Sequence, residues 1–232
     1  MSVLDHFLNH LQEPISPIID FDGALEDIGL LDLSPANVHF SERDYASTEA
    51  LTAFIASEKK RSGATILMGG YNETRNMYRR SHLFDQNLNA ASTAEEPRNI
   101  HLGIDIWAEE GTKVYAPLAG KIHSFAHNNH FGDYGPTIIL EHRFSDTHFY
   151  SLYGHLSVSD LEGLYEGKPI GAGTVLAHFG PAQENGNWPP HLHFQIILNL
   201  QGFKGDYPGV CKESESAFYL QNCPDPRVLV NF

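Results

Sequence analysis

Cysteine is nearly missing: Cys211 and Cys223 are the only two in 232 residues. They form no CxxC motif and are too few for a disulfide framework, so the fold is not a cross-linked scaffold and the pair is read as ordinary thiols. Basic residues are also scarce. Fifteen Lys and Arg face 29 Asp and Glu, giving a formal charge of -14. Binding nucleic acid or an anionic membrane surface needs a cationic face, so neither partner is expected. The local cluster Arg75, Arg79 and Arg80 is read as a solvated helix face. No apolar run approaches the roughly 18 residues of a membrane span. Residues 1–17 have no basic start followed by a continuous apolar stretch, so no secretory leader is expected. That absence points to the cytoplasm, or to a mature form of an exported protein.

What remains is an ordinary soluble composition, 41% hydrophobic and 19% charged. Histidine is the exception, with 14 residues, ten of them at or after position 101. A histidine-rich half with Asp and Gly turns is the composition of a metal site, although surplus surface histidines are also common.

The chain reads as three regions. Residues 1–97 form an α+β extension, residues 98–200 a β-rich domain, and residues 201–232 a C-terminal tail packed on it. In the extension, Ser47 or Thr48 can cap a helix whose Leu51, Phe54 and Ile55 fall at helical spacing and which Gly63 can end. Residues 64–71 read as a buried strand ending at a Gly pair. A second helix or an irregular turn is expected over 75–84 and a polar loop over 85–99. From Ile100 the period falls to two, with Ile100, Leu102, Ile104 and Ile106 on one face. Further short strands follow at 111–125, 136–143, 148–156, 167–180 and 191–198, separated by Gly and Pro turns. The fold class is therefore mainly β with an α+β N-terminal extension, a compact antiparallel barrel or sandwich.

Three fragments carry candidate chemistry. His191 and His193 are i and i+2 on a strand, so both imidazoles share a face about 6.6 Å apart while Leu192 and Phe194 face the core. His101 and Asp105 are four residues apart, about 13 Å on a straight strand. To meet one ion at about 2.0–2.2 Å the chain must bend, and Gly103 permits that. His155 follows Tyr153 and Gly154. Each fragment also has an ordinary reading: sheet histidines, a surface His with a turn Asp, and a structural histidine.

Taken together, HLGID, AEEGTKVYAPLAGKI, DYGPTIILEH, YGHLS, GKPIGAGTVLAHFG and HLHF resemble, in order and spacing over residues 98–196, the lysostaphin-like (LytM-type) zinc metallopeptidases. The DYGPTIILEH and ENGNWPPHLHFQ segments look closer to the variant found attached to aminotransferase domains. The resemblance implies one Zn2+ on His101, Asp105 and His193, with His155 and His191 flanking an open position as catalytic groups. Three protein ligands without cysteine are the set of a catalytic zinc, which lowers the pKa of a bound water and polarises a carbonyl. One flanking histidine can move the proton and the other can stabilise the oxyanion, in either assignment. The implied function is a zinc-dependent hydrolase cleaving peptide or amide bonds, with peptidoglycan-type peptides as one substrate class. An intracellular amidase on a small peptide and a non-catalytic or regulatory module are the alternatives. Family members often carry an acid after the last Phe, where this chain has Gln195. Tyr153, Trp188, Asn72 and Arg75 are weaker candidates for substrate contact: Tyr153 packs or orients a histidine, Trp188 lines a groove or closes the core, and the turn 69–73 with Arg75 covers the cleft or merely turns the chain. If it covers the cleft, Arg75 or Arg79 can bind a substrate carboxylate. Two other readings fail on detail. A biotinyl-type carrier needs a lysine between Lys121 and Lys168, and a cupin needs an acid soon after His193; neither is present.

Overall fold

Strands dominate the chain and arrange themselves around the histidine-bearing segments. A computed structural model describes residue 11 and residues 14–21, 28–84, 96–144 and 147–232. Most of the first 27 residues and residues 85–95 of the expected 85–99 loop lie outside the described residues.

The N-terminal region supplies β1 (Ile28–Leu30), α1 (Thr48–Ser62), β2 (Ile66–Gly69) and β3 (Glu73–Thr74). Helix α1 begins where the Ser47 hydroxyl accepts the Ala50 N–H at 3.1 Å, and it stops at Gly63, whose φ of 74° is left-handed. Its Leu51, Phe54 and Ile55 are buried as the spacing predicts. The segment after β3 is a 3-10 turn over Asn76–Arg80 rather than an α-helix. The central part contains β4 (Ile100–His101), β5 (Ile104–Trp107), β6 (Lys113–Tyr115), β7 (Gly120–Asn128), β8 (Gly135–Phe144) and β9 (Thr147–Gly154). It continues with β10 (Pro169–Ile170), β11 (Val175–His178) and β12 (His191–Ile197). The tail adds β13 (Val210–Cys211) and α2 (Ser216–Asn222).

Eight strands form the main sheet in the order β1-β2-β5-β12-β9-β8-β7-β10. The sheet is open at both ends and is antiparallel except for the parallel β1–β2 pair, so the architecture is layered and mixed rather than a closed barrel. Two small sheets, β11-β6 and β13-β4-β3, complete the set. No helix among the described residues is long and apolar enough to cross a membrane.

The period of two along β12 divides the layers. Leu192, Phe194 and Ile196 are fully buried on one face, in the core that also holds Ile104, Ile106, Ile138 and Leu140. Burial of each such side chain stabilises the fold by about 1.5–3 kcal/mol. His191, His193, Gln195 and Ile197 point the other way. On that face α1 packs near Leu67 and Trp107, and the tail residues Tyr207, Cys211 and Cys223 pack around Ile197. Both cysteines are buried free thiols. The candidate site lies between these two apolar clusters.

The expected bend between His101 and Asp105 is present. The alternating run is interrupted at Leu102 and Gly103, and β4 leaves the main sheet to pair with β3 and β13. Gly103 is required for space: a Cβ there would lie 2.6 Å from the His193 ring and 2.7 Å from the Phe194 carbonyl oxygen. Gly103→Ala is expected to destabilise the protein by about 1–3 kcal/mol through overpacking. Denaturant unfolding checks this, and an unchanged midpoint contradicts it.

Candidate metal centre

Pairing register brings the first two ligand candidates together. His193 on β12 stands directly opposite Asp105 on β5, with His191 opposite Trp107. The break at Leu102–Gly103 then folds His101 back over the same spot. His101 Nε2 lies 3.4 Å from Asp105 Oδ1, His193 Nδ1 lies 3.3 Å from the same oxygen, and the two ring nitrogens are 2.9 Å apart. Tetrahedral ligands at about 2.0–2.2 Å from zinc are separated by about 3.3–3.6 Å, so the spacing is close to that of a shared ion. All three residues are buried.

Hydrogen bonding fixes which atoms are free. His101 Nδ1 sits 2.9 Å from the Gly70 carbonyl, which can only accept, so that nitrogen carries the proton and Nε2 presents a lone pair. His193 Nε2 is 2.9 Å from Gln195 Oε1. The Gln195 amide nitrogen is held by the Pro208 carbonyl and Cys223 Sγ, which orients the oxygen toward His193. His193 therefore donates from Nε2 and presents its Nδ1 lone pair. Two lone pairs at 2.9 Å do not hydrogen-bond; they repel unless a cation lies between them. Asp105 Oδ1, which both nitrogens face, is buried without a hydrogen-bond partner. An orphaned carboxylate oxygen and two opposed ring nitrogens are the donor set a single zinc ion satisfies.

Electrostatics agree. Burial pushes the imidazole of His101 down to about 4, which keeps it neutral at ordinary pH. Burial alone would raise Asp105, but the Arg75 guanidinium on Oδ2 holds its carboxyl well below the usual range. The centre thus offers neutral imidazole and an ionised carboxylate.

His155 and His191 flank this set. The Nδ1–H of His191 goes to the Pro189 carbonyl at 2.7 Å, and that of His155 to the Asn185 carbonyl at 2.8 Å. Each therefore leaves Nε2 free. His191 is stacked between the rings of Trp107 at 4.0 Å and His155 at 4.1 Å, which fixes its plane, and its Nε2 is 4.0 Å from Asp105 Oδ1. Burial pushes His191 down to about 4. Burial also holds His155 well below the ordinary imidazole range, and the nearby His191 opposes a second charge there. His155 has φ of 63°, a left-handed conformation uncommon outside glycine, held by its backbone bonds to Tyr134 and Gly180.

A cavity of about 340 Å³ opens beside these groups. Trp188 lines it, as does Arg75, but Arg75 is engaged with Asp105 and Glu73, so it is not a free site for a substrate carboxylate. Arg79 is exposed and does not line the cavity. Tyr153 and Asn72 do not line it either. Tyr153 packs on Phe194, and its hydroxyl meets Ser151, which in turn holds His142, so the histidine it helps orient is a core one. Asn72 is exposed on the turn. The N-terminal wall comes from Met77, Tyr78 and Phe84 rather than from the 69–73 turn.

Two residues at the centre escape the sequence reading. Tyr134, which enters there only within the DYGPTIILEH motif, lines the cavity with its hydroxyl 3.3 Å from His193 Nε2. Gln195, noted as a missing acid, supplies the oxygen that sets the His193 tautomer. A polar residue two places after a strand ligand, on the same face, is the signal that could have found it.

Residues 99–204 match the sequence model of the family described as Peptidase family M23. Among solved structures, the catalytic domain of the antimicrobial peptidase lysostaphin from Staphylococcus simulans is 27% identical, with a TM-score of 0.37, over 52% of this chain and 80% of that one. Lysostaphin from Staphylococcus simulans is 29% identical, TM-score 0.35, over 51% of this chain and 45% of that one. A zinc-containing peptidase from Vibrio cholerae is 25% identical, TM-score 0.35, over 42% of this chain and 27% of that one. The alignment thus spans less than half the length of the two longer proteins. No curated protein matches the chain. The span that matches Peptidase family M23, residues 99–204, holds His101, Asp105, His155, His191 and His193.

Proposed function

We propose that the protein is a zinc-dependent peptidase that hydrolyses amide bonds in peptides, peptidoglycan-type peptides included. One observation carries this reading: His101 Nε2, His193 Nδ1 and the orphaned Asp105 Oδ1 converge, with every competing proton on the two rings already committed elsewhere. Zinc held there supplies Lewis acidity toward a carbonyl and a water of lowered pKa.

The chain's own groups then divide the work. His191 and His155 each present Nε2 as a proton acceptor, because a backbone carbonyl holds each Nδ1–H. Their rings stack at 4.1 Å, so the pair carries one added proton at a time. The first to receive the water's proton becomes the donor. As the water oxygen bonds to the carbonyl carbon and the C–N bond breaks, that proton passes to the leaving amine. Trp107 and Trp188 beside the two histidines keep the exchange away from bulk water. Gln195 keeps the His193 proton on Nε2 throughout.

A short peptide or small amide is the second reading for substrate. It is favoured by Tyr78 and Phe84 from the N-terminal region and Tyr207 and Pro208 from the tail, which wall the cavity.

His101→Ala and His193→Ala are expected to lose zinc, measured as metal per chain in purified protein. His155→Ala and His191→Ala are expected to retain zinc and lose about 10²–10⁴-fold in turnover on peptidoglycan fragments or short peptides. Zinc retained by the first pair sinks the ligand assignment; full activity in the second sinks the catalytic roles. A wild type that binds zinc yet cleaves no such substrate supports a non-catalytic module. Gln195→Leu should weaken zinc binding by about 10–100-fold in a competition titration with a chelator. An unaltered affinity removes Gln195 from the centre.

A further inference from the structure

Arg75 comes from the N-terminal region, outside the matched span, yet it lies beneath the metal centre. It is 1% exposed, one of the largest fully buried side chains. Its Nη1 meets Asp105 Oδ2 at 2.5 Å and the Tyr78 hydroxyl at 3.1 Å, while its Nε meets Glu73 Oε2 at 2.5 Å. Glu73 is anchored in turn, its other oxygen accepting the Leu33 N–H at 3.1 Å. The guanidinium also presses on Gly70. That residue has φ of 104°, and a Cβ there would lie 1.9 Å from Arg75 Nη2 and 3.0 Å from His101 Nδ1. The Gly70 carbonyl is the one that holds His101. One turn of the N-terminal region therefore touches two of the three ligand residues.

The two oxygens of Asp105 are treated differently. Oδ2 is taken by Arg75, whereas Oδ1 faces the ring nitrogens unpaired. A free carboxylate can bind a metal through one oxygen or both. We propose that Arg75 is a positioning residue that restricts Asp105 to ligation through Oδ1 and so keeps a coordination position open for the reactants. The idea rests on the zinc reading above and adds to it a role for the N-terminal region. An arginine suits the task because its planar fork reaches two carboxylates at once, Glu73 and Asp105, while an ammonium is a single point of charge.

The test uses the full chain loaded with cobalt(II) in place of zinc, because the intensity of its visible absorption falls as coordination number rises. Wild type should take up one cobalt per chain and give the intense band of a four-coordinate site. In Arg75→Met the band should weaken several-fold as the freed Oδ2 binds. On the zinc-loaded protein kcat should drop by about tenfold or more with KM little changed. Should Arg75→Met not fold, Arg75→Lys keeps the buried charge and should give an intermediate band. A wild-type band in either variant overturns the positioning role while leaving the zinc reading intact. A wild-type chain that takes up no cobalt overturns the zinc reading and this proposal with it.

Discussion

Two ring nitrogens with their lone pairs facing each other at 2.9 Å, beside a buried carboxylate oxygen with no donor, set the constraint around which the molecule is organised. Without a cation this arrangement is repulsive, and burial makes it worse, because water is not there to solvate the orphaned oxygen. A cation placed among them would turn the same atoms into ligands. The surrounding structure spends several contacts on keeping them so: the Gly70 carbonyl on His101, the Gln195 amide on His193, and Arg75 on the far oxygen of Asp105.

The fold meets that constraint by simple means. Alternation along β12 sends Leu192 and Phe194 to the core and both histidines to the opposite face. Antiparallel pairing places Asp105 across from His193, and a two-residue break lets His101 return to the same point from a different sheet. The site therefore stands on strands rather than mobile loops, flanked by apolar clusters that fix the strand positions. His155 is the exception. Its backbone is held left-handed, a local strain borne by the hydrogen bonds of Tyr134 and Gly180.

Much of this was legible in the sequence because it follows from short-range rules. The period-two run from Ile100 led into β5, and short apolar runs between Gly and Pro turns matched β7, β8, β9 and β12; Ser47 and Gly63 bounded α1; the distance between His101 and Asp105 demanded a bend. The order of the motifs pointed to the family over residues 99–204. What was not legible depends on contacts distant along the chain. Nothing local in the GGYNETR segment says that Arg75 will be buried against Asp105, 30 positions later. Tyr134 is one letter of a motif until folding brings its hydroxyl to His193. Likewise β1 and β2 carry no signal that they extend the main sheet, since two short strands gain partners only once β5 is in place.

X-ray absorption at the zinc edge of the purified protein tests the central claim most directly. The account predicts zinc with two imidazole nitrogens and oxygen ligands at about 2.0–2.2 Å and no sulfur scattering near about 2.3 Å. Zinc bound through Cys211 or Cys223, or a folded protein with no imidazole-bound zinc, contradicts it.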